Sequence, residues 1–374
     1  MKSKFKGLIF TILLLGLGIY KYGLEFLVPV LAISFLIFFH ELGHFLAAKQ
    51  LGVCVDVFSI GFGEEIYSKK IKNTIYKISA IPLGGYVSLK GQVDIDPTAK
   101  SEDLDSYTKL SPFGRIYILF AGPFFNLFLA FLIYIALGFI GVDKLAPKIG
   151  FVGKNSPALN NIDVNDTILS INGVKISHWD EISPLVRFST LNLQIKKNNG
   201  EIKSITLTPK IGETKTIFGE KIKKPLIGIS PNGEIVRIYH TGFSSLKFAL
   251  DETIKASKLI FVSLQKLIQR VVSPTELGGI VIMTDIMTKA YDLGISTLLV
   301  IMALISVNLG IVNLFPIPAL DGGHIMFNLY ELIFKRPVND RIFATLSYAG
   351  IGFLFTLMAF TIINDILRLS GAYN

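Results

Sequence analysis

The sequence predicts a polytopic α-helical membrane protein with four to five spanning helices, and three observations carry that prediction. The chain of 374 residues is 51% hydrophobic and only 17% charged, with a mean hydropathy of +0.55, too apolar for an ordinary soluble enzyme. Stretches such as 116–142 and 295–317 hold almost no charge, and about 20 apolar residues in a helix cross a bilayer. Finally, ionisable groups cluster where another uncharged run ends: 26–39 leads into His40-Glu41-Leu42-Gly43-His44. Such groups are costly at membrane depth and usually functional.

The formal net charge of +9 reads as flanking lysines that stay inside and attract anionic lipid. No basic recognition helix or aromatic stacking platform accompanies it, which excludes a nucleic-acid partner. The single cysteine, Cys54, allows no intrachain disulfide and reads as a small buried residue. The first apolar run carries no A-x-A-like cleavage site.

In chain order, Lys2, Lys4 and Lys6 precede the uncharged run 7–20. It is short for a bilayer but spans if Lys6 and Lys21 snorkel; segment 1–23 is thus a candidate extra spanning helix. The next helix, from about 24 to 49, ends in the His-Glu-x-x-His stretch. His40 and His44 lie one turn apart on one helix face, the spacing at which two imidazoles hold one Zn²⁺. Glu41 stands beside the first of them, placed to accept a proton from water. A chance occurrence of the pattern is the alternative, and the uncharged run before it weighs against chance.

The polar region 50–115 contains Lys69, Lys70, Lys72, Lys77, Lys90, Lys100 and Lys109. Positive loops stay in the cytoplasm, so the metal end of the helix faces that side. Within it, 74–89 reads as two short strands about the turn Gly84-Gly85: either a plain surface hairpin or a β-edge able to pair with an extended peptide. Segment 116–142 is a spanning helix. Its Ala121-Gly122-Pro123 permits close helix contact, and Asn126 reads as a bond to a neighbouring helix.

Composition then shifts. From 145 to about 210 the chain is mixed and strand-rich, with strands near 149–152, 166–173, 193–196 and 205–209, a tight turn at Asn172-Gly173, and a short helix at 179–188. This is a soluble module opposite the metal side; Trp179 reads as a packing anchor, and His178 and His240 as ordinary polar residues. Segment 243–272 is an amphipathic helix ended by Pro274, and 277–287 a short apolar re-entrant or edge element. The run 295–317 carries Asn308 and Asn313, then breaks at Pro316 and Pro318. Irregular backbone at membrane depth is tolerated only where it lines a cavity, which puts Asp321 in one; Asp321-Gly322-Gly323 also suits a turn. His324 reads as a neighbour of the site or a turn cap. Segment 342–363 is the last span.

The pair HELGH (40–44) and NLFPIPALDGGH (313–324), separated by a soluble module and framed by spanning helices, resembles the site-2 protease family of intramembrane zinc metalloproteases, most closely its RseP-like, PDZ-containing bacterial branch. The likeness extends over roughly 24–365. It implies that His40, His44 and Asp321 are ligands of one Zn²⁺ per chain, that Glu41 is the catalytic base, and that Asn308, Asn313 and the β-loop at Gly84, Gly85 and Tyr86 bind substrate. The implied fold is a polytopic α-helical membrane protein with a membrane-associated β-hairpin and one inserted PDZ-like α+β domain. Its parts would be 24–142 and 293–374 as the membrane core, 145–212 as the PDZ-like domain and 213–292 as a linker with the amphipathic helix. The chain departs from the family pattern at Glu64, where proline is common, at Gly278-Gly279 where Gly-Pro is expected, in having room for one PDZ-like domain where some members have two, and in the extra run before 24.

The implied activity is regulated intramembrane proteolysis of single-pass transmembrane substrates, anti-sigma-factor-like proteins or remnant signal peptides, in the bacterial inner membrane. Peptide C-termini are the implied ligands of the PDZ-like domain. The alternative is a membrane scaffold with a non-catalytic metal, for which Glu41 has no use. A transporter would show internal repeats, and none is visible.

Overall fold

The computed structural model describes residues 4–92 and 101–372. The chain folds as two compact units: Met1–Ile135 with Leu246–Gln265 and Ser273–Asn374, and Ala136–Ser245 with Lys266–Val272.

The first unit begins with α1 (Lys4–Tyr22) and α2 (Leu27–Gln50). β1 (Val55–Ile71) and β2 (Thr74–Leu89) follow, then α3 (Pro112–Ile140). Among the described residues, four helical segments are long and apolar enough to cross a bilayer: Leu24–Gln50, Pro112–Ile140, Ile295–Asn313 and Asp340–Leu369. The apolar part of α1, Thr11–Tyr22, is shorter. Cys54 is half-buried rather than buried, because it lies in the link between α2 and β1 and not within either.

The β region corrects the expected hairpin. Its tight turn is at Lys72-Asn73, where Ile71 pairs with Thr74, and Lys72 takes the left-handed φ of +53°. The two halves of β2 do not pair with each other about Gly84-Gly85. Both pair with the start of β1: Ser59 faces Lys77 and also Tyr86, and Ile60 faces Ile78 and also Gly85. Residues 57–60 are therefore an interior strand with one half of β2 on each side. Ser59 and Ser79 bond across this sheet at 3.0 Å, and Phe58 packs edge-on to Phe38 of α2 with ring centroids 5.6 Å apart.

The second unit is β-rich. It contains β3 (Val142–Leu145), β4 (Ile149–Val152), β5 (Thr167–Ile171), β6 (Val174–Lys175), α4 (Ile182–Leu185), β7 (Leu191–Lys196) and β8 (Ile202–Leu207). After these come β9 (Lys210–Lys215), β10 (Lys221–Leu226), β11 (Ile229–Pro231) and β12 (Ile235–Ile238). The strand order β6-β5-β7-β8 forms one antiparallel sheet, while β4 pairs with β11, β3 with β12 and β9 with β10. Strands thus continue well past residue 212. The Asn172-Gly173 turn joins β5 to β6 as the sequence suggests, both residues at positive φ. Alternation along β7 buries Leu191, Leu193 and Ile195 against Ile149, Ile168 and Ile171; Trp179 packs on this core. The expected helix at 179–188 is shorter, a 3₁₀ turn at 179–181 followed by α4. Arg237 grips both oxygens of Asp143 at 2.7 and 2.8 Å. These hydrogen bonds hold the Asp143 carboxyl below the usual carboxylate range, although so exposed a pair stabilises little.

The chain then runs through α5 (Phe243–Ile268), α6 (Ile280–Asp292), α7 (Ile295–Asn313), α8 (Asp321–Phe334) and α9 (Asp340–Leu369). The amphipathic helix is α5. The segment expected as a re-entrant or edge element leads into α6, a regular helix rather than an edge strand, whose Met287 is buried with Ala32 and Ile33 of α2 and Leu298 of α7. Its N-terminus is held by a buried acid on α9. Asp365, 0% exposed, accepts from the backbone N–H groups of Gly279 (2.9 Å), Val281 (3.1 Å) and Ile282 (3.0 Å). Those are the donors a helix start leaves unpaired, and they are complementary to negative charge.

Replacing Asp365 by alanine strands three backbone donors, that of Gly279 buried and those of Val281 and Ile282 part-buried. Each loss of this kind costs about 1–3 kcal/mol, so the variant is expected to lower the thermal midpoint in detergent markedly, with Asp365→Asn falling between it and the native chain. Equal midpoints for all three would show that the cap contributes nothing.

Candidate metal centre and active site

The two imidazoles come from α2 and the carboxylate from the start of α8, all within the first unit. Nε2 of His44 lies 3.2 Å from Nε2 of His40. Oδ2 of Asp321 lies 3.3 Å from Nε2 of His40 and 3.5 Å from Nε2 of His44. A tetrahedral zinc with bonds of about 2.0–2.2 Å sets its ligand atoms about 3.3–3.5 Å apart, and the triangle here matches. Oδ2 of Asp321 is buried, with no hydrogen-bond partner among the described residues, a costly state for a carboxylate unless a cation meets it. Among the described residues, His40, His44 and Asp321 are the group of histidine, cysteine and acidic side chains placed to hold a metal.

Local structure explains why these three converge. Gly43 and Gly122 let α2 and α3 touch backbone to backbone. A Cβ on Gly43 would strike the Ala121 carbonyl, and one on Gly122 would strike both imidazoles. Beneath the contact, Ala47 and Ala48 pack with Val55, Leu89, Ile118 and Ala121. On the other side the chain leaves α7 at Asn313, turns through Pro316 and Pro318, and re-enters a helix at Asp321. Ala319 takes a left-handed φ of +78°, a strain of about 1–2 kcal/mol for a residue with a Cβ. Gly322 and Gly323 lie against the carbonyls of Leu314, Phe315 and Ile317, where no side chain fits. Asp321 stands in the first turn of α8, where the helix dipole favours an anion.

The ring nitrogens remote from the triangle are both held by α3. Nδ1 of His44 donates to the Ile118 carbonyl at 2.8 Å. Nδ1 of His40 lies 3.0 Å from the Asn126 amide, whose Oδ1 is otherwise an orphan buried at 0% exposure. The amide atom that faces it is Nδ2; with Nε2 turned to a metal, Nδ1 of His40 would carry the proton and need an acceptor, which Asn126 supplies once its amide is turned over so that Oδ1 faces the ring, satisfying the orphan as well. Sequence reasoning assigns Asn126 to a neighbouring helix in general terms and misses this partner. The available signal is the spacing of Gly122 and Asn126, four apart on one face of α3.

A cavity of about 280 Å³ opens on the triangle. Glu41, Gly85, Tyr86 and Asn313 line it together with the three candidate ligands. A Cβ on Gly85 would come within 3.6 Å of Glu41 Cγ, and Nδ2 of Asn313 is 3.5 Å from His40 Nε2. Gly84 and Asn308 are not in its lining; Gly84 serves the bend of β2, with φ +146° and the Phe62 ring over it. His324 faces away, with its ring against Phe327 and Phe343.

A membrane-spanning body holding a His-Glu-x-x-His helix against a distant aspartate has the form of a membrane metalloprotease. Comparison with known proteins gives the same class: the model of Peptidase family M50, the site-2 proteases, matches residues 28–357, and this chain belongs to that family. A Campylobacter jejuni protein named "putative zinc metalloprotease" is 52% identical over 367 residues, spanning 98% of this chain and 100% of its own. A Helicobacter pylori protein of the same printed description is 39% identical over 352 residues (92% and 99%), and one from Clostridium acetobutylicum 34% identical over 344 residues (91% and 96%). The chain is a multi-span membrane zinc metalloprotease.

Removing the Asn126 contact is expected to weaken zinc binding by about 10–100-fold, the usual effect of losing a partner behind a ligand histidine. Competition with a chelator on purified Asn126→Leu protein measures it. Gly122→Ala is expected to lose zinc more completely, because its methyl group occupies the space of both rings; native zinc content in that variant would contradict the geometry.

Proposed function

We propose that this chain hydrolyses peptide bonds in single-pass transmembrane segments, with His40, His44 and Asp321 as the zinc ligands and Glu41 as the base. One observation carries the proposal: the three ligand atoms, Glu41 and a strand edge line a single cavity in the unit that holds the spanning helices. Three protein ligands leave a tetrahedral position open, the pattern of a catalytic site. Zinc bound there supplies Lewis acidity that polarises the scissile carbonyl and acidifies the attacking water.

The chain's own groups do the rest. Glu41 accepts the proton of the attacking water and returns it to the leaving amine. A transmembrane helix hides its amides in internal hydrogen bonds and must unwind before attack. The segment Gly85–Val87 pairs with β1 on one side, and the sheet has no further strand among the described residues, so its other side can take an extended peptide by strand addition. Asn313, beside His40, offers amide groups to the freed backbone. Asn308 would act further along the same helix.

The loop lysines support a cytoplasmic position for the metal end of α2, with 145–210 beyond the membrane on the far side. By resemblance, the substrates are anti-sigma-factor-like proteins or remnant signal peptides, and the module at 145–212 is PDZ-like and takes peptide C-termini. A scaffold that merely held partners would have no need of Glu41 inside the cavity.

Glu41→Gln is expected to reduce cleavage of a tagged transmembrane peptide by about 10²–10⁴-fold while zinc remains at one per chain by elemental analysis. A chelator is expected to abolish cleavage by the native protein and added zinc to restore it. Undiminished turnover by the glutamine variant would remove Glu41 from the role of base.

A further inference from the structure

A second chamber of about 480 Å³ lies against the metal site and is used by nothing described so far. Gln92, Leu119, Ala319, Leu320 and Asp321 line both cavities. The chamber is bounded by α3, α8 and α9, and its lining is split by chemistry. Phe327, Phe343, Phe355 and Met358 make an apolar side. The other side carries buried polar atoms with no hydrogen-bond partner among the described residues: Gln92 Oε1, Arg115 Nε, Asn328 Oδ1 and Ser347 Oγ. Arg115 is anchored but not exhausted, since its Nη2 donates to Glu331 at 2.8 Å and Nε does not. Asn328 is also half used, with Nδ2 donating to the His324 carbonyl at 2.8 Å.

Buried polar atoms are normally paired, and four around one chamber, besides Oδ2 of Asp321, is a heavy concentration. Two are acceptors only, one is a donor only and one is a hydroxyl. An occupant that satisfies them offers both N–H and C=O groups and carries an apolar portion for the aromatic side. Unwound polypeptide has that composition: each residue brings one amide donor, one carbonyl acceptor and a side chain. Arg115 is already paired with Glu331, and the remaining charged side chains of the lining, Asp321 and Asp340, are acids, so nothing in the chamber calls for an anionic ligand.

The geometry points to this chamber as the subsite that receives an unwound residue of the substrate next to the scissile bond, its backbone held by Gln92, Arg115 and Asn328 and its side chain seated against Phe327, Phe343 and Phe355. Ser347, 2% exposed, is the small residue that leaves room for that side chain and sets its permitted size. This assignment deepens the proposed function and rests on it. It adds a residue-level determinant of sequence preference to a site otherwise built to handle peptide backbone.

Two measurements test it. In the first, a panel of transmembrane peptides varies the residue at each position flanking the scissile bond, and kcat/KM is measured for native protein and for Ser347→Phe. Native protein is expected to prefer a large apolar residue at one of these positions, and Ser347→Phe to shift that preference toward alanine by about tenfold or more, since a single methylene in a pocket is worth about 10–200-fold. Uniform loss across the panel, or an unchanged preference, would overturn the subsite. In the second, a photoreactive phenylalanine analogue replaces Phe343 or Phe355 in Glu41→Gln protein, which binds without turnover. Cross-links are expected to residues beside the scissile bond of the peptide. Cross-links to lipid alone, or to remote peptide positions, would overturn the assignment even if Ser347→Phe fails to fold. A native protein that cuts none of the peptides would instead overturn the function on which the subsite rests.

Discussion

The structure depends on one close approach, that of α2 to α3 at Gly43 and Gly122. Two imidazoles one turn apart can share a metal only if their rings are fixed, and a helix surface alone does not fix them. Here α3 supplies the missing constraint. Its backbone comes near enough for the Ile118 carbonyl to hold His44 and for Asn126 to hold His40, and it does so because no Cβ stands at 122. In hydrocarbon, where no hydrophobic force draws helices together, such backbone contact and interhelical bonding are the main attractions available. The forces that assemble the membrane body are therefore the same ones that orient the two imidazoles.

Asp321, the third candidate ligand, is delivered by the opposite tactic. Where α2 and α3 are regular, the stretch between α7 and α8 is irregular, with two prolines, a left-handed alanine and two glycines pressed on carbonyls. The strain at Ala319 sits immediately before Leu320 and Asp321, and strained backbone is common where geometry serves function. The same bend gives the body two adjoining chambers, because the residues that present Asp321 line both of them, together with Gln92 and Leu119.

Much of this was legible in the sequence. Uncharged runs located the long helices, since helix length and bilayer thickness are matched physically. The i, i+4 histidines and the proline-broken Asp-Gly-Gly segment pointed to His40, His44 and Asp321, which the fold brings within reach of one another as a group able to hold a metal. Less was visible where partners rather than periods decide. The alternation in 74–89 reveals strands but not which strand they pair with, so a two-sided arrangement around 57–60 reads as a local turn at Gly84-Gly85. The element at 277–287 looks like an edge because Gly278-Gly279 begin it; the cap that makes it a helix start comes from Asp365, far away in sequence. Asn126 is recognisable as polar and inward, but its partner is set by the crossing of two helices. The orphaned atoms of Gln92, Arg115, Asn328 and Ser347 are scattered over the chain and share no pattern.

The placement of 57–60 between both halves of β2 has a mechanical consequence. A strand bonded along both edges cannot slide past one neighbour without dragging the other, and slippage by a single residue would turn every side chain to the wrong face. The flank beside Glu41 is thus tied through 57–60 to the lysine-bearing ribbon around Lys72, across the bulges between Ile60 and Tyr67. Traction on that distal ribbon would reach the cavity that Glu41 and Gly85 line as a change in the spacing of those two residues.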